Sequence, residues 1–410
     1  MLRNSFLFFT LFASTLLFIS CEKNNDKTNP IGEPGEIGNI PEMNQLFAWD
    51  LFPLLVEEER GENVLISPWS IQTALNMAMN AADEKTLEQM LAVLHCSDCP
   101  VDKINHHQAE MTIWLEEQSG HPRLTSANGF FYDNQRLLAK EEFLNQLKNH
   151  FKAESRKYPF SQLETVDKIN QWVKQNTHGK IDGIIEEITN DDIAFLINAI
   201  HFKADWLKAF EPSMTRKDNF FSSKGGSKEV DFLNADGEFL HTIYNDFSMV
   251  DLPFRDSTYS LSLISYNRPG VHPADWVREL NIATVNQLYG QIKSDRIFLS
   301  FPKLKLSFDT DLPNVLKQLG MTDAFDAQLA NFKPLGQPLT GPNVYINQIR
   351  HKAVLEVDEK GAEGAAVTSI GFTITSLPPS FVFDQPFVVI LRHNRSNTYV
   401  FQALVENPVE

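Results

Sequence analysis

Two clusters of residues in this chain have the types and spacing to do chemistry. The first is His95-Cys96-Ser97-Asp98-Cys99, with His106 and His107 following it. Thiolates and imidazoles so spaced can ligate zinc or cycle as a redox pair. A single Cys-x-x-Cys without a second pair is a weak metal signature. A local disulfide or two free thiols is therefore expected, and no metal. The second cluster is the segment Glu359 to Ser376, Glu-Lys-Gly-Ala-Glu-Gly-Ala-Ala-Val-Thr-Ser-Ile-Gly-Phe-Thr-Ile-Thr-Ser. Its glycines and small residues are those of a loop, but its alternation is that of a strand. Ala362, Gly364, Ala366, Thr368, Ile370, Phe372 and Ile374 share one side of a two-residue period and are all small or apolar. Glu363, Ser369, Thr373 and Thr375 share the other, mostly polar side. Such a segment can stand exposed or lie half buried in a sheet. The plainer reading is an edge strand after a glycine-rich turn.

Signatures of catalysis are missing elsewhere. There is no G-x-S-x-G elbow, H-E-x-x-H helix, phosphate-binding Walker loop or G-x-G-x-x-G turn in the sequence. No catalytic residue and no cofactor are expected, which points to a protein that binds or is acted upon. The net charge of −17, from 36 basic and 53 acidic residues, argues against a nucleic-acid partner, whose phosphates need a basic face.

The N-terminus reads as a targeting segment. Met1-Leu2-Arg3 is a positive start, and Phe6 to Ile19 is an apolar run short for a bilayer span. Leu17-Phe18-Ile19-Ser20-Cys21 resembles a bacterial lipobox, with Phe18 where such boxes usually carry Leu. The resemblance implies a signal peptide over 1–20 and lipid on Cys21, holding the protein to a bacterial membrane on its periplasmic or cell-surface side. A plain secretory signal is the alternative. Residues 21–42, polar and rich in Pro and Gly, read as a flexible tether, and 43–410 as one domain.

Within that domain the elements that must position the segment at 359–376 are legible in outline. Helices are expected over 43–59 (kinked or ended by Pro53), over 69–79 behind the Ser67-Pro68 cap, from the capping box Thr86 to Gln89, and over 165–176. Ile193 to Phe202 reads as a buried strand. From about 219 short strand-like runs dominate: 249–254, 259–266, 297–301, 303–308, 353–357, 387–392 and 399–405. Helical stretches at 273–287 and 311–319 interrupt them. Helices first and strands later, without regular alternation, point to α+β.

Several motifs, in order from about 43 to 408, resemble the serpin family. They include Asn63-Val-Leu-Ile-Ser67-Pro68-Trp-Ser70, Ile169-Asn170-Gln-Trp172, Asn198-Ala-Ile-His-Phe202-Lys-Ala-Asp-Trp206, Leu319-Gly320-Met321, His351-Lys-Ala-Val-Leu-Glu-Val-Asp-Glu359-Lys-Gly361 and Phe381-Val-Phe-Asp384-Gln-Pro386-Phe387. The resemblance implies a fold of three β-sheets with eight or nine helices and an exposed reactive-centre loop above the central sheet. It also implies suicide inhibition. A target endopeptidase attacks the loop and forms an acyl-enzyme, and the cleaved loop inserts as a new strand, carrying the protease away and distorting it. Inserting the fourteen residues Ala362 to Thr375 would move the acylated end roughly 45 Å.

Carried over residue by residue, the resemblance makes Glu359, Gly361, Ala362, Gly364, Ala365, Ala366 and Thr368 the hinge. Ala362 stands where a Thr is common and Gly364 where an Ala is, and neither would clash on insertion. Family spacing, seventeen residues from Glu359, puts the reactive bond at Thr375–Ser376, with Phe372, Thr373 and Ile374 setting specificity. No Lys or Arg stands between Gly361 and Leu391, so trypsin-like enzymes lack a side chain to grip. Thr375 after Ile374 suits elastase- or subtilisin-type serine proteases, Ile374 also suits papain-like cysteine proteases, and Phe372 offers a secondary chymotrypsin-like site. Ser67, Ser70, Asn198 and His351 match the family's shutter beneath the central sheet, and Lys303 and Trp206 its upper breach, with Lys303 facing Glu359. A monomer that is not an enzyme is implied, meeting membrane only through its anchor. The alternative is a non-inhibitory serpin-fold binding or scaffold protein.

Overall fold

Ser67-Pro68 opens a helix as their residue types require. Ser67 is extended, its hydroxyl accepts the N–H of Ser70, and Pro68 sits in the first turn, where its missing donor costs nothing. The computed structural model describes residues 40–116, 123–341, 343–362 and 378–409. Its α-helices are α1 (Ile40–Glu58), α2 (Pro68–Met79), α3 (Glu84–Val93), α4 (Val101–Glu116), α5 (Glu141–Phe151), α6 (Glu164–Asn176), α7 (Pro273–Trp276), α8 (Ile282–Gly290) and α9 (Pro313–Gln318).

The strands of the first half are β1 (Val64–Ile66), β2 (Arg123–Asp133), β3 (Leu137–Ala139), β4 (Glu154–Tyr158) and β5 (Ala194–Asp205). Those of the second half are β6 (Arg216–Phe221), β7 (Ser227–Tyr244), β8 (Phe247–Pro253), β9 (Tyr259–Tyr266), β10 (Lys293–Pro302), β11 (Leu304–Asp311), β12 (Gly336–Pro338), β13 (Arg350–Val357), β14 (Gly361–Ala362), β15 (Ser380–Val382), β16 (Phe387–His393) and β17 (Tyr399–Val405). The architecture is α+β, as the order of helices and strands in the sequence leads one to expect.

A nine-stranded sheet has the order β1-β17-β16-β9-β8-β7-β10-β15, with β6 also on β7. Strands β16 and β17 carry continuous apolar runs, Phe387–Leu391 and Tyr399–Phe401, that are buried on both faces. A four-stranded sheet runs β14-β5-β2-β4, and β11 and β13 form a separate antiparallel pair. Among the described residues no ladder joins β5 to β13. Helix α2 packs against β5 and β17 and so links the two large sheets. A smaller core, with Ile169, Trp172 and Val173 of α6 against Phe131, Ile197 and Ala199, covers the opposite side of β2 and β5.

Several expectations shift. α1 begins at Ile40, inside the stretch read as tether, with Pro41 in its first turn, and it passes Pro53 unbroken. α3 begins at Glu84, capped by Asp83. Thr86 and Gln89 bond instead to Asn331, Thr322 and Asp323, so the apparent capping box is used in tertiary contacts. The helix expected over 273–287 is two, because Asn281 caps Thr284 N–H and starts α8 afresh. Of 311–319 only Pro313–Gln318 is helical, since β11 runs through Asp311. β5 is half buried at Leu196, Asn198 and His201 rather than wholly buried, and it extends to Asp205.

Candidate functional site

The chain leaving β13 turns through Asp358-Glu359-Lys360-Gly361. Asp358 Oδ1 accepts the N–H groups of Lys360 (2.8 Å) and Gly361 (3.2 Å), and Asp358 N–H donates to Gly361 O (3.0 Å). An aspartate turn of this kind needs a permissive residue at its exit, and Gly361 has φ +139°. A Cβ there would lie 2.2 Å from Ala204 O. Glycine is required because the backbone approaches so closely: Gly361 pairs with Asp205 and Ala362 with Ala204, antiparallel. Gly361 and Ala362 therefore form a short strand on the edge of β5.

Trp206 holds this turn from below. Its Nε1 donates to Asp358 O at 2.9 Å, its backbone N–H donates to Lys360 O at 2.9 Å, and its indole stacks on Phe254 at 4.5 Å between centroids. Phe210 N–H donates to Glu359 O. The Glu359 carboxylate receives Lys303 Nζ at 2.8 Å and Thr215 Oγ1 at 2.7 Å. Burial opposes its charge, but these hydrogen bonds outweigh burial and hold the carboxyl below the usual glutamate range. Burial likewise works against the Lys303 ammonium, and Glu359, helped by Asp231 and Asp358, raises its proton affinity instead. Lys303, Trp206, Glu359, Gly361 and Ala362 are thus brought together. Asp358 and Thr215 were not anticipated, although Asp358-x-x-Gly361 is an aspartate-turn signal in the sequence.

Farther down the strands, Ser67 N–H donates to His351 Nε2 at 3.1 Å, and Ser70 N–H donates to Ser67 Oγ. His351 is therefore an acceptor at Nε2 and carries its proton on Nδ1. Its complete burial lowers its pKa to about 4. Ser67, Ser70 and His351 form one cluster that Asn198 does not join. Asn198 Nδ2 donates to Asn128 Oδ1 at 2.6 Å across β5 and β2, and Asn128 Nδ2 caps Phe151 O. Asn198 on β5 and His351 on β13 thus keep separate partners, and among the described residues the two strands do not pair. An apolar cavity of about 130 Å³, lined by Leu75, Phe130, Ile197, Ile346 and Ile349 among others, lies between the starts of β5 and β13.

Gly364, Ala365, Ala366, Thr368, Phe372, Thr373, Ile374, Thr375, Ser376 and the lipidation residue Cys21 lie outside the described residues. Cys96 and Cys99 form a disulfide, with Cα atoms 5.2 Å apart. Their sulfurs are therefore not free to ligate a metal, and among the described residues no group of His, Cys, Asp and Glu gathers as a metal site.

A family model for the serpins, serine protease inhibitors, matches residues 42–408. The chain belongs to the serpin family. Among relatives, the α-1-antitrypsin of Meriones unguiculatus is 29% identical over 369 residues, covering 89% of this chain and 89% of that one. Human glia-derived nexin is 27% identical over 380 residues, covering 90% of this chain and 94% of that one. The native state of the thermophilic serpin tengpin superposes with a TM-score of 0.84 at 29% identity, covering 92% of this chain and 97% of that one. The latent state of the same serpin gives 0.77. Human thyroxine-binding globulin, in complex with thyroxine, gives 0.82 at 25% identity, covering 90% of this chain and 99% of that one.

Proposed function

We propose that this serpin is a suicide inhibitor of endopeptidases, cleaved at Thr375–Ser376 and trapping its target by inserting the cleaved loop between β5 and β13. The observation that carries this reading is the pairing of Gly361 and Ala362 with β5, at a place where β5 and β13 make no ladder of their own. A strand started there continues along the same edge of β5 simply by adding main-chain hydrogen bonds, the means by which extended segments augment sheets. Small residues through Thr368 let the inward side chains pass into the sheet without overpacking. The 130 Å³ cavity at the far end supplies apolar space for the last side chains to arrive.

Thr375 after Ile374 favours elastase- and subtilisin-type serine proteases, with papain-like cysteine proteases as further targets. The lipobox-like Leu17 to Cys21 favours a lipid-anchored monomer on a bacterial membrane, periplasmic or cell-surface.

The test is to mix the purified protein with pancreatic elastase, with trypsin alongside, and boil the products in detergent. Gel electrophoresis and mass spectrometry are expected to show a covalent adduct with elastase and a released peptide beginning at Ser376. Clean cleavage with no adduct would instead support the non-inhibitory reading, a serpin fold serving as a binding or scaffold protein.

A further inference from the structure

A pocket of about 570 Å³ opens between β7, β10 and β15. Its size lies in the range of small-molecule sites. Its apolar lining includes Ile243 of β7, 59% exposed, Val382 of β15, 46% exposed, and the buried Phe381. Its polar lining includes Ser248, Asn267, Gln291 and Lys293.

His241 forms part of the lining and is only 5% exposed, yet among the described residues neither ring nitrogen has a hydrogen-bond partner. Its ring packs against Phe381 with centroids 4.9 Å apart, and its Nε2 lies 3.5 Å from Asp295 Oδ2. A buried imidazole whose nearest charged neighbour is a carboxylate at 3.5 Å has hydrogen-bonding capacity to spare for a ligand. Lys293 is the positively charged lining residue. Its ammonium lies 2.9 Å from Asp295, which shares it rather than burying it, and its side chain is 65% exposed.

Exposed aliphatic side chains, an aromatic ring, one reachable ammonium and a buried imidazole describe a ligand with a flat apolar body and an anionic head. We propose that this pocket binds small aromatic carboxylates, the ring lying along Ile243, Phe381 and Val382 and the carboxylate directed to Lys293. Strand β15 begins just beyond the segment in which the reactive bond is proposed, and among the described residues it pairs on one side only, with β10. A bound ligand therefore holds the far anchorage of the loop. The assignment does not depend on inhibition, since it concerns a different set of residues.

The test is calorimetric titration of the purified protein with 2-naphthoate, with 2-naphthamide as its uncharged isostere, read together with hydrogen exchange. Saturable naphthoate binding is expected, with slowed amide exchange at Ser380–Phe383. Ile243→Asp and Lys293→Ala, both at solvent-exposed side chains, are each expected to weaken it by about tenfold or more, and naphthamide to bind correspondingly worse. Circular dichroism melts confirm that both variants fold. No saturable binding up to about 5 mM, or equal binding of naphthamide, would overturn the assignment. So would unchanged affinity in either folded variant.

Discussion

Lys303 and Glu359 meet at 2.8 Å although they lie in different strands' approaches, Lys303 between β10 and β11 and Glu359 beyond β13. Thr215 completes the carboxylate's shell. The pair fixes the turn from which the loop departs, so its loss should be felt as a looser hinge.

Lys303→Met is expected to lower native stability by about 1–3 kcal/mol, because it leaves a mostly buried carboxylate with one partner fewer. The sign with pH is defined by both shifts. The depressed Glu359 contributes above its ordinary pKa of 4.5 and loses that contribution as pH falls through its lower folded value. The raised Lys303 contributes below its ordinary 10.5 and loses that contribution as pH climbs beyond its higher folded value. Thermal melts of parent and variant should therefore differ most between those limits and converge in strong acid. A gap that persists undiminished in acid would show that packing rather than charge is responsible.

Gly361→Val should impair inhibition more than stability. Its Cβ would meet Ala204 O at 2.2 Å in a backbone conformation that side chains disfavour, so β14 cannot form as it stands. Titration of elastase activity should require several-fold more variant per enzyme inactivated, with the excess recovered as cleaved protein. An unchanged stoichiometry would remove β14 from the mechanism.

Acid should weaken the fold in a defined window. Burial lowers His351, His107 and His393 from 6.5 to about 4, so the folded state resists protons that the unfolded state accepts. Stability is complete above about pH 6.5 and falls as pH drops toward 4, by roughly 3 kcal/mol for a histidine shifted this far. Melting temperature followed across that range checks the slope, and His351→Gln should flatten it.

Thr375→Arg tests the position of the reactive bond. It places a basic side chain in a stretch that has none from Gly361 to Leu391. Trypsin, inert toward the parent loop, should then form the covalent adduct and release a peptide beginning at Ser376. Cleavage by trypsin with release at another residue would move the bond.

Reduction of Cys96–Cys99 should cost little. The loop it closes is so short that the loss of unfolded-state entropy amounts to about 2 kcal/mol. The double substitution to serine, compared with parent in melts with and without reductant, should reproduce the reduced parent. A larger loss would mean that the buried Cys96 matters through packing.

Much of the scaffold is written locally. Ser67-Pro68 declares the start of α2, and the runs around Val389 and Phe401 declare buried strands, because capping and burial depend on a few adjacent side chains. Some local signals mislead for a physical reason: Thr86 and Gln89 have capping-box spacing, yet their oxygens serve the backbone of Thr322, Asp323 and Asn331. Helix α5 is not assigned from the sequence above, although Phe143, Leu147 and Phe151 recur at helical spacing and are its buried face.

At the candidate site the division is similar. Residue types alone determine that Glu359 to Thr368 can be both loop and strand, that no basic residue marks the reactive bond, and that Lys303 has a carboxylate to seek. Only the folded chain decides that Gly361 and Ala362 add to β5, that Asn198 bonds Asn128 rather than His351, and that His241 is buried beside an open pocket. The reason is geometric. Backbone preference is settled within one turn of chain, whereas a strand's neighbour depends on which edges remain unpaired after residues far apart in sequence have packed.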